Sequence, residues 1–370
     1  MNLRSAARLA LALALLPAAL SAQDLPARLS AIGGAAVTDG RTAGVSFAVT
    51  RGGKPLASGA FGFADLENRV PAAADSVYAI GSLTKTFTAA AILALADDGK
   101  LSLDDPLSKW VPLLPAPGRT ATIRQLLNHT SGIRSMTALG SRYWAQAGRE
   151  IEPAALVAIF ANEPPDFPPG TDYRYSNSGY VLLGLVVEKA SGRTWGDFVT
   201  RRLLVPLGLA GTRDGETSDL VPRRARGYAR KKGGGFENAW HVSLSQGYAA
   251  GALLSTADDL ARWIRRLFVA PPLSDASHLA MTTPATLPNG KTLSYGFGLG
   301  VDSFAGRRRY FHGGGLPGFD AWAAYVPGED LAVAVVCNTD GDVAMEIADA
   351  MAGLVLGAPD AKTQRPGPGL

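Results

Sequence analysis

Cysteine and histidine are both scarce in this sequence. Its 370 residues include one cysteine, Cys337, and four histidines. A single cysteine excludes an intrachain disulfide bond. Cys337 lies in the apolar run LAVAVVCN, which predicts core packing in a strand rather than a nucleophile. His241 and His278 have no companions at metal-ligand spacing, so we predict no metal site. The chain also lacks the phosphate-binding and dinucleotide-binding glycine motifs, and we predict no cofactor.

Net charge is low for the length of the chain. The formal charge is +4, and 18% of the residues are charged. This balance argues against a dedicated nucleic-acid binder. Basic runs at residues 223–232 and 307–309 are typical of solvated surface, or alternatively of a surface that attracts an anionic wall polymer.

Long apolar runs are absent apart from a short one near the N-terminus. Residues 9–16 are apolar, follow Arg4 and Arg8, and precede the small residues Ser21 and Ala22. This order predicts a signal peptide over residues 1–22 that is cut after Ala22, and hence an exported protein, periplasmic or secreted. The alternatives are a buried N-terminal helix and an uncleaved anchor. The run is short for a membrane span, and we expect no stable span.

Strand-like segments at both chain ends enclose a helical middle. GVSFAVT and PLASGAFGFA flank the turn Gly52-Gly53, and YGFGLGVDSF, RRYFHGG, DAWAAYV and LAVAVVCN follow one another near the C-terminus. Between them, TIRQLLNH carries a capping-box pattern, STADDLARW has Ser255 as its expected cap, and GYVLLGLVVEKASG is a helix expected to end at Gly192. A helix over about residues 342–356 is also expected.

This order predicts an α/β (α+β) fold with one domain over residues 23–357. Its antiparallel sheet is built from about residues 40–65 and 293–357 and is flanked by helices. A mainly helical lobe is inserted between the two sheet segments. Residues 358–370, rich in proline and glycine, are expected to form a flexible tail.

The segment IGSLTKTF places a hydroxyl and an amine on one helical face. Ser82 and Lys85 are three residues apart, and the residues that follow are apolar nearly all round. An unpaired ammonium in a buried helix is costly, and a neutral lysine beside a serine can accept the serine's proton. The alternative is a capping serine beside a surface lysine. The spacing alone does not decide between them.

The wider context resembles the serine β-lactamase and penicillin-binding-protein family, in its class C-like branch. That branch includes D-alanyl-D-alanine carboxypeptidases, D-aminopeptidases and β-lactamase-like esterases. The resemblance runs in order through most of the chain, in GVSFAV, FGFADLENRVPAAADSVYAIGSLTKTFTAAAILAL, DDGKLSLDDPLSKWVP, TIRQLLNHTSGI, FPPGTDYRYSNSGYVLLGLVVE, PLGLAGT, GALLSTADDLARW and HGGGLPGF. It implies the β-lactamase/DD-peptidase-like fold.

The resemblance implies a role for each matching residue. Ser82 would be the nucleophile that forms an acyl-enzyme, and Lys85 would assist its deprotonation. Tyr175 would be the general base and proton shuttle, with its pKa lowered by cationic neighbours, for which Lys85 and His312 are the candidates. Asn177 would orient Lys85 and bind a substrate carbonyl. From the residues alone, Tyr175 could equally be a packing aromatic, and Asn177 could cap the next helix.

The third motif departs from the lysine form of the family. His312-Gly313-Gly314 stands where the family has KTG, and Gly314 would let a substrate backbone approach closely. By the resemblance, the backbone N–H groups of Ser82 and Gly315 would form the oxyanion hole. Because histidine is a weaker fixed cation than lysine, we expect weaker capture of a substrate carboxylate here. His129 is expected to support a loop.

These observations predict an exported serine hydrolase that acts on small esters or amides, of esterase or D-amino-acid peptidase type. The alternatives are a class C-like β-lactamase or D-alanyl-D-alanine carboxypeptidase, and, in another class, a catalytically silent binding or scaffold protein with this fold. The expected partner is a small ester, a peptide or a cell-wall fragment. Specificity is expected to lie in residues 136–161 and 213–243.

Overall fold

The computed structural model describes residues 25–112, 114, 118–215, 218, 220–358 and 361. The signal peptide predicted over residues 1–22 and most of the tail predicted over residues 358–370 lie outside the described residues. Among the described residues, none of the helices combines the length and the apolar character that a membrane span requires.

A large antiparallel sheet joins the two ends of the chain, as predicted. Its seven strands are β1 Gly44–Arg51, β2 Lys54–Asp65, β3 Val70–Pro71, β9 Gly300–Phe304, β10 Arg307–Leu316, β11 Phe319–Val326 and β12 Leu331–Cys337. They are ordered β3-β2-β1-β12-β11-β10-β9. The N-terminal strands join the C-terminal ones where β1 pairs with β12, with Val45 opposite Cys337.

Central strand β12 is buried on both of its faces. Val333, Val335 and Cys337 pack into one apolar cluster, and Ala332 and Ala334 pack into another on the opposite side. Since side chains alternate across a strand, helices must cover both faces of the sheet. This double burial explains why LAVAVVC reads as a continuous apolar run.

Terminal helices cover one face of the sheet, and the helical middle covers the other. Helices α1 Leu25–Thr38 and α12 Val343–Val355 share their cluster with β1 and β12. Between the two sheet segments run α2 Thr84–Asp97, α3 Ile123–Leu127, α4 Ser141–Trp144, α5 Pro153–Phe160, α6 Asn177–Ser191, α7 Trp195–Val199, α8 Val205–Leu207, α9 Tyr248–Gly251, α10 Ala257–Arg266 and α11 Asp275–Thr282. The predicted fold class is therefore confirmed.

Short strands complete the helical part. β4 Tyr78–Ala79, β8 Leu253–Ser255 and β5 Arg213–Asp214 form a three-stranded sheet, and β6 Tyr228–Arg230 pairs with β7 Phe236–Asn238. β4 ends directly before the segment that carries Ser82.

Most of the expected helix boundaries hold. Thr122 and Gln125 form the predicted capping box, and Gly192 ends α6 in the left-handed conformation with φ 71°. The expected cap Ser255 is wrong. Ser255 is the last residue of β8, and Thr256 caps α10 by accepting from the Asp259 N–H. The strand expected from Tyr295 begins only at Gly300.

Candidate active site

Ser82 lies at the junction between a tight turn and the buried helix α2. Residues Gly81–Leu83 form one turn of 3-10 helix that runs directly into α2, whose second residue is Lys85. Every residue of α2 from Thr84 to Leu95 is buried, as the apolar sequence predicts. Lys85 Nζ is 3.0 Å from Ser82 Oγ. The surface-lysine alternative is therefore wrong.

The other partners of Lys85 are both hydrogen-bond acceptors. Its Nζ donates to Asn177 Oδ1 at 2.7 Å and to the Ala250 carbonyl at 2.8 Å. Burial holds the pKa of Lys85 well below its usual value of 10.5. A neutral amine has two N–H groups, which these two acceptors satisfy, and one lone pair, which remains for the Ser82 hydroxyl. The arrangement therefore suits a neutral lysine that accepts the proton of Ser82.

Asn177 is fixed with its carbonyl oxygen toward Lys85. Its side-chain Nδ2 donates to Thr137 Oγ1 at 3.1 Å, and its backbone N–H donates to Ser135 Oγ at 3.1 Å. Asn177 does not cap α6, which excludes the alternative raised by the sequence. Ser176 is the cap, and it accepts from the Gly179 N–H.

Tyr175 lies beside Lys85 and Ser82 in a closed aromatic cluster. Lys85 Nζ is 4.9 Å from the centre of the Tyr175 ring. Burial raises the pKa of Tyr175 above its usual value of 10, although the nearby Ser82 hydroxyl opposes this shift. Tyr175 Oη has no hydrogen-bond partner of good geometry among the described residues. The expectation that cationic neighbours lower this pKa is wrong, because burial outweighs every neighbouring group.

His312 is neutral and turned into the protein. Its Nδ1 faces the Gly313 carbonyl, an acceptor, so Nδ1 carries the proton. Nε2 then accepts from Tyr295 Oη at 2.9 Å. Burial chiefly, together with Lys85, lowers the pKa of His312 to about 3. His312 therefore supplies no fixed charge, and it is not the cationic neighbour that the sequence suggested for Tyr175.

His129 supports the loop that carries Tyr175, as predicted. The Ser176 N–H donates to His129 Nδ1 at 3.1 Å, and the Arg174 N–H donates to the His129 carbonyl at 3.0 Å. The imidazole ring lies 4.3 Å from the Tyr175 ring, centre to centre. Burial holds its pKa well below 6.5, so it too is neutral.

Strand β10 passes close against the turn that carries Ser82. A Cβ atom at Gly314 would collide with the Ile80 carbonyl oxygen, and one at Gly81 would lie 2.8 Å from the Gly315 backbone nitrogen. Gly81 also has a positive φ of 48°. Glycine at both positions therefore allows the Ser82 turn and Gly315 to lie side by side, as an oxyanion hole between them requires.

A cavity of about 640 Å³ opens onto Ser82. Its lining comprises Ser82, Arg134, Ser135, Thr137, Ala138, Asp166, Arg174, Tyr175, Asn177 and Gly315. His312, Gly314 and Lys85 do not line it. Among the described residues, no group of three or more His, Cys, Asp or Glu side chains is placed to hold a metal ion.

Comparison with known proteins places the chain in a family. The family model described as Beta-lactamase matches residues 27–358. This chain belongs to the beta-lactamase family. The resemblance seen in the sequence is thus confirmed.

Two curated relatives of this chain carry different names. Penicillin-binding protein 4* of Bacillus subtilis (strain 168) is 32% identical over 287 residues, covering 72% of this chain and 62% of the relative. The D-aminopeptidase of Gluconobacter oxydans (strain 621H) is 29% identical over 333 residues, covering 87% of this chain and 58% of the relative. The chain therefore spans less than two thirds of the length of these curated relatives.

A solved structure supports the same fold. The D-stereospecific amidohydrolase from a Streptomyces species is 31% identical, with a TM-score of 0.75, covering 87% of this chain and 98% of that one. Two of these three names denote hydrolases. They support the prediction of a hydrolase of the beta-lactamase family.

Sequence reasoning missed the charged side chains of the cavity. Arg134, Asp166 and Arg174 lie on loops, where charged residues usually read as solvated surface, so no local pattern marks them. Of the two expected specificity segments, residues 136–161 contribute Thr137 and Ala138. From the segment 213–243, residues 224–227 and 238–242 instead line a separate cavity of about 560 Å³.

Proposed function

We propose that this chain is a serine hydrolase that cleaves small esters or amides through an acyl-enzyme on Ser82. The contact that carries the proposal is the 3.0 Å approach of Lys85 Nζ to Ser82 Oγ at the start of helix α2, where Lys85 is buried. A lysine kept neutral by burial can take the proton from Ser82 as the hydroxyl oxygen attacks the substrate carbonyl carbon.

The pKa directions support one order of proton transfers in this proposal. Tyr175 is a protonated phenol in the resting site, because its pKa is raised. Lys85 is then the first proton acceptor, and Tyr175 gives its own proton to the departing oxygen or nitrogen. The proton on Lys85 returns to the Tyr175 phenolate, which is stabilised by the adjacent ammonium. In deacylation the same groups remove a proton from water and restore the Ser82 hydroxyl.

The backbone N–H groups of Ser82 and Gly315 hold the negative oxygen of the tetrahedral intermediate in this proposal. The close packing of β10 on the Ser82 turn supports it. Donors fixed in this way do not reorganise as charge develops, which is the main source of their effect on rate.

His312 favours esters or D-amino-acid amides over substrates, such as β-lactams, whose carboxylate would be held by a cation on β10. A buried, neutral imidazole gives β10 no fixed cation opposite a substrate carboxylate. Relatives named as a D-aminopeptidase and a D-stereospecific amidohydrolase also favour amides of D-amino acids among the possible substrates. Export through the segment at residues 1–22 is part of the proposal and is supported by the sequence alone.

A hydrolysis panel on the protein lacking residues 1–22, with Ser82→Ala as its matched control, tests the proposal. The panel holds short-chain p-nitrophenyl esters, D-amino-acid p-nitroanilides, D-alanyl-D-alanine peptides and a chromogenic cephalosporin. We expect turnover of esters or D-amino-acid amides that Ser82→Ala abolishes. A best kcat/KM for the cephalosporin would place the β-lactamase alternative first. Absence of any turnover would favour the silent binding protein.

A further inference from the structure

The charges that line the cavity point to the kind of substrate that it accepts. We infer that the cavity beside Ser82 selects a substrate with an anionic group, such as a carboxylate, which Arg134 and Arg174 bind. The inference rests on the proposed function, since it concerns substrates of the same site. In this inference the positive charge that binds the substrate lies on Arg134 and Arg174, and not at position 312, where the family's lysine would stand.

Arg134 and Arg174 converge on one buried carboxylate. Arg134 Nε lies 2.8 Å from Asp166 Oδ1, and Arg174 Nη1 lies 3.2 Å from the same oxygen. The Asp166 side chain is only 3% exposed, whereas the Arg134 and Arg174 side chains are 37% and 64% exposed. Asp166 therefore serves as an anchor beneath the two guanidinium groups, which remain accessible from the cavity.

The cavity lining carries more positive than negative charge. Two guanidinium groups face one carboxylate, and Lys85 and His312 do not line the cavity. Glu163 is 3.9 Å from Arg134 Nη1, but it bonds Arg142 at 2.6 Å and is not part of this lining. An ammonium at the end of the substrate that reaches the arginines would meet a net positive surface, and Asp166, the carboxylate of the described lining, is already paired. A substrate carboxylate would meet planar donors suited to bidentate binding.

Neutral polar groups of the lining are already engaged. Ser135 Oγ accepts from the Asn177 N–H and Thr137 Oγ1 accepts from the Asn177 side chain, while the two hydroxyls are 2.9 Å apart. These hydroxyls hold Asn177 against Lys85, so they are less available to a substrate than the arginines are. The arginines are therefore the groups of the lining that can distinguish substrates by charge.

Esters of matched shape and different charge test this inference. In the acyl series, mono-p-nitrophenyl adipate is compared with p-nitrophenyl 6-methylheptanoate, which is isosteric and neutral, and with p-nitrophenyl 5-trimethylammoniopentanoate. In the leaving-group series, 4-acetoxybenzoate is compared with 4-acetoxybenzamide. We expect kcat/KM for the anion to exceed that for its neutral isostere by about 10-fold or more in one series, because a charge-assisted hydrogen bond from arginine stabilises the bound carboxylate. The series in which the preference occurs identifies the end of the substrate that enters the cavity.

Variants connect the preference to the arginines. Arg174→Gln should remove most of the preference for the anion, and it should raise kcat/KM for the cationic ester relative to the neutral one. Arg174→Lys should retain part of the preference. Arg134→Lys is a second variant for the same measurement, and it keeps a positive charge beside Asp166. Arg201→Gln is the control, because Arg201 is an exposed arginine paired with Asp197 on α7. It should leave the preference unchanged.

The outcomes separate this inference from the proposed function. If the wild type turns over the neutral ester without preferring either anion, or if Arg174→Gln keeps the full preference, the inference is wrong and the proposed function stands. If the wild type turns over none of the esters and Ser82 takes up no covalent probe, both are wrong.

Discussion

At the scale of single residues, the site depends on keeping Lys85 uncharged. The amine is fully buried on α2, and its two acceptors leave one lone pair for Ser82. Burial disfavours the charged form of both groups, and it therefore lowers the pKa of the lysine and raises the pKa of the tyrosine. One enclosed site therefore holds a base and an acid side by side at neutral pH.

Removal of the Tyr175 hydroxyl tests the acid role. Tyr175→Phe keeps the ring between His129 and Lys85 but removes the proton that the leaving group needs. General acid–base groups contribute roughly 10²–10⁴-fold, so we expect kcat for an amide to fall by about that factor. An ester with a good leaving group such as p-nitrophenolate, which needs less protonation, should lose less. Equal losses for both substrates would contradict the acid role.

His312 makes a pH-dependent contribution to stability whose sign follows from its burial. The folded-state pKa is about 3, and an unfolded histidine titrates near 6.5. Between these values the unfolded chain binds a proton that the folded chain does not, so stability falls as pH falls below about 6.5. From pH 8 to pH 5, this loss amounts to about 2 kcal/mol for His312.

Chemical denaturation at pH 8 and pH 5 measures this loss. His312→Gln should show a smaller loss between the two pH values than the wild type, whatever its stability at pH 8. His241→Gln, at an exposed position, is the control and should behave like the wild type. An unchanged pH dependence in His312→Gln would show that His312 is not neutral in the folded protein.

The residues of the site differ in how far the sequence could predict them. Ser82 and Lys85 are on one helical segment, so their spacing predicts that they share a face, and the apolar residues that follow indicate that this face is buried. The protonation state of Tyr175 depends instead on its burial, to which His129 and Tyr295 contribute from two other segments. Local sequence carries no signal for that enclosure.

At the scale of elements, the site lies where a strand, a turn and a helix meet. β10 lies against the Ser82 turn through glycine, and α2 begins where that turn ends. Glycines in RRYFHGGG predicted the close approach of a substrate backbone, whereas at Gly314 the backbone that lies close is that of Ile80. The cap predicted at Ser255 is wrong for a similar reason. β8 pairs with β4 and β5, and Ser255 is the last residue of that strand.

Substitution of Gly314 tests the contact between β10 and the Ser82 turn. A Cβ atom at this position would meet backbone, the Ile80 carbonyl, which cannot move aside as a side chain can. We expect Gly314→Ala to lower the free energy of unfolding by about 1–3 kcal/mol, because overpacking displaces the backbone. Labelling of Ser82 by a fluorophosphonate should slow by more than tenfold, since Gly315 moves with the strand.

Gly328→Ala is the control for that substitution. Gly328 has open space around its Cβ position and lies outside the site, so both its stability and its labelling rate should match the wild type. A Gly314→Ala protein that labels at the wild-type rate would contradict the proposed oxyanion hole.

At the scale of the whole molecule, the fold brings distant segments together around one hydroxyl. The segments 80–85, 134–138, 166–177 and 312–315 each contribute at least one residue to the cavity lining, and the sheet that carries the last of these is completed by the N-terminal strands. Order and periodicity of the segments predicted the sheet and the helical insertion. The arginines of the cavity could not be predicted, because their proximity exists only once two loops pack against each other.

The most direct test of the account is the site of covalent labelling. The protein lacking residues 1–22 is treated with a fluorophosphonate, and mass spectrometry of the intact protein and of its peptides locates the adduct. We expect one equivalent on Ser82, and none on Ser82→Ala. An adduct on Ser176 or Ser178 instead, or a wild type that stays unlabelled while correctly folded, would contradict the assignment of Ser82 as the nucleophile.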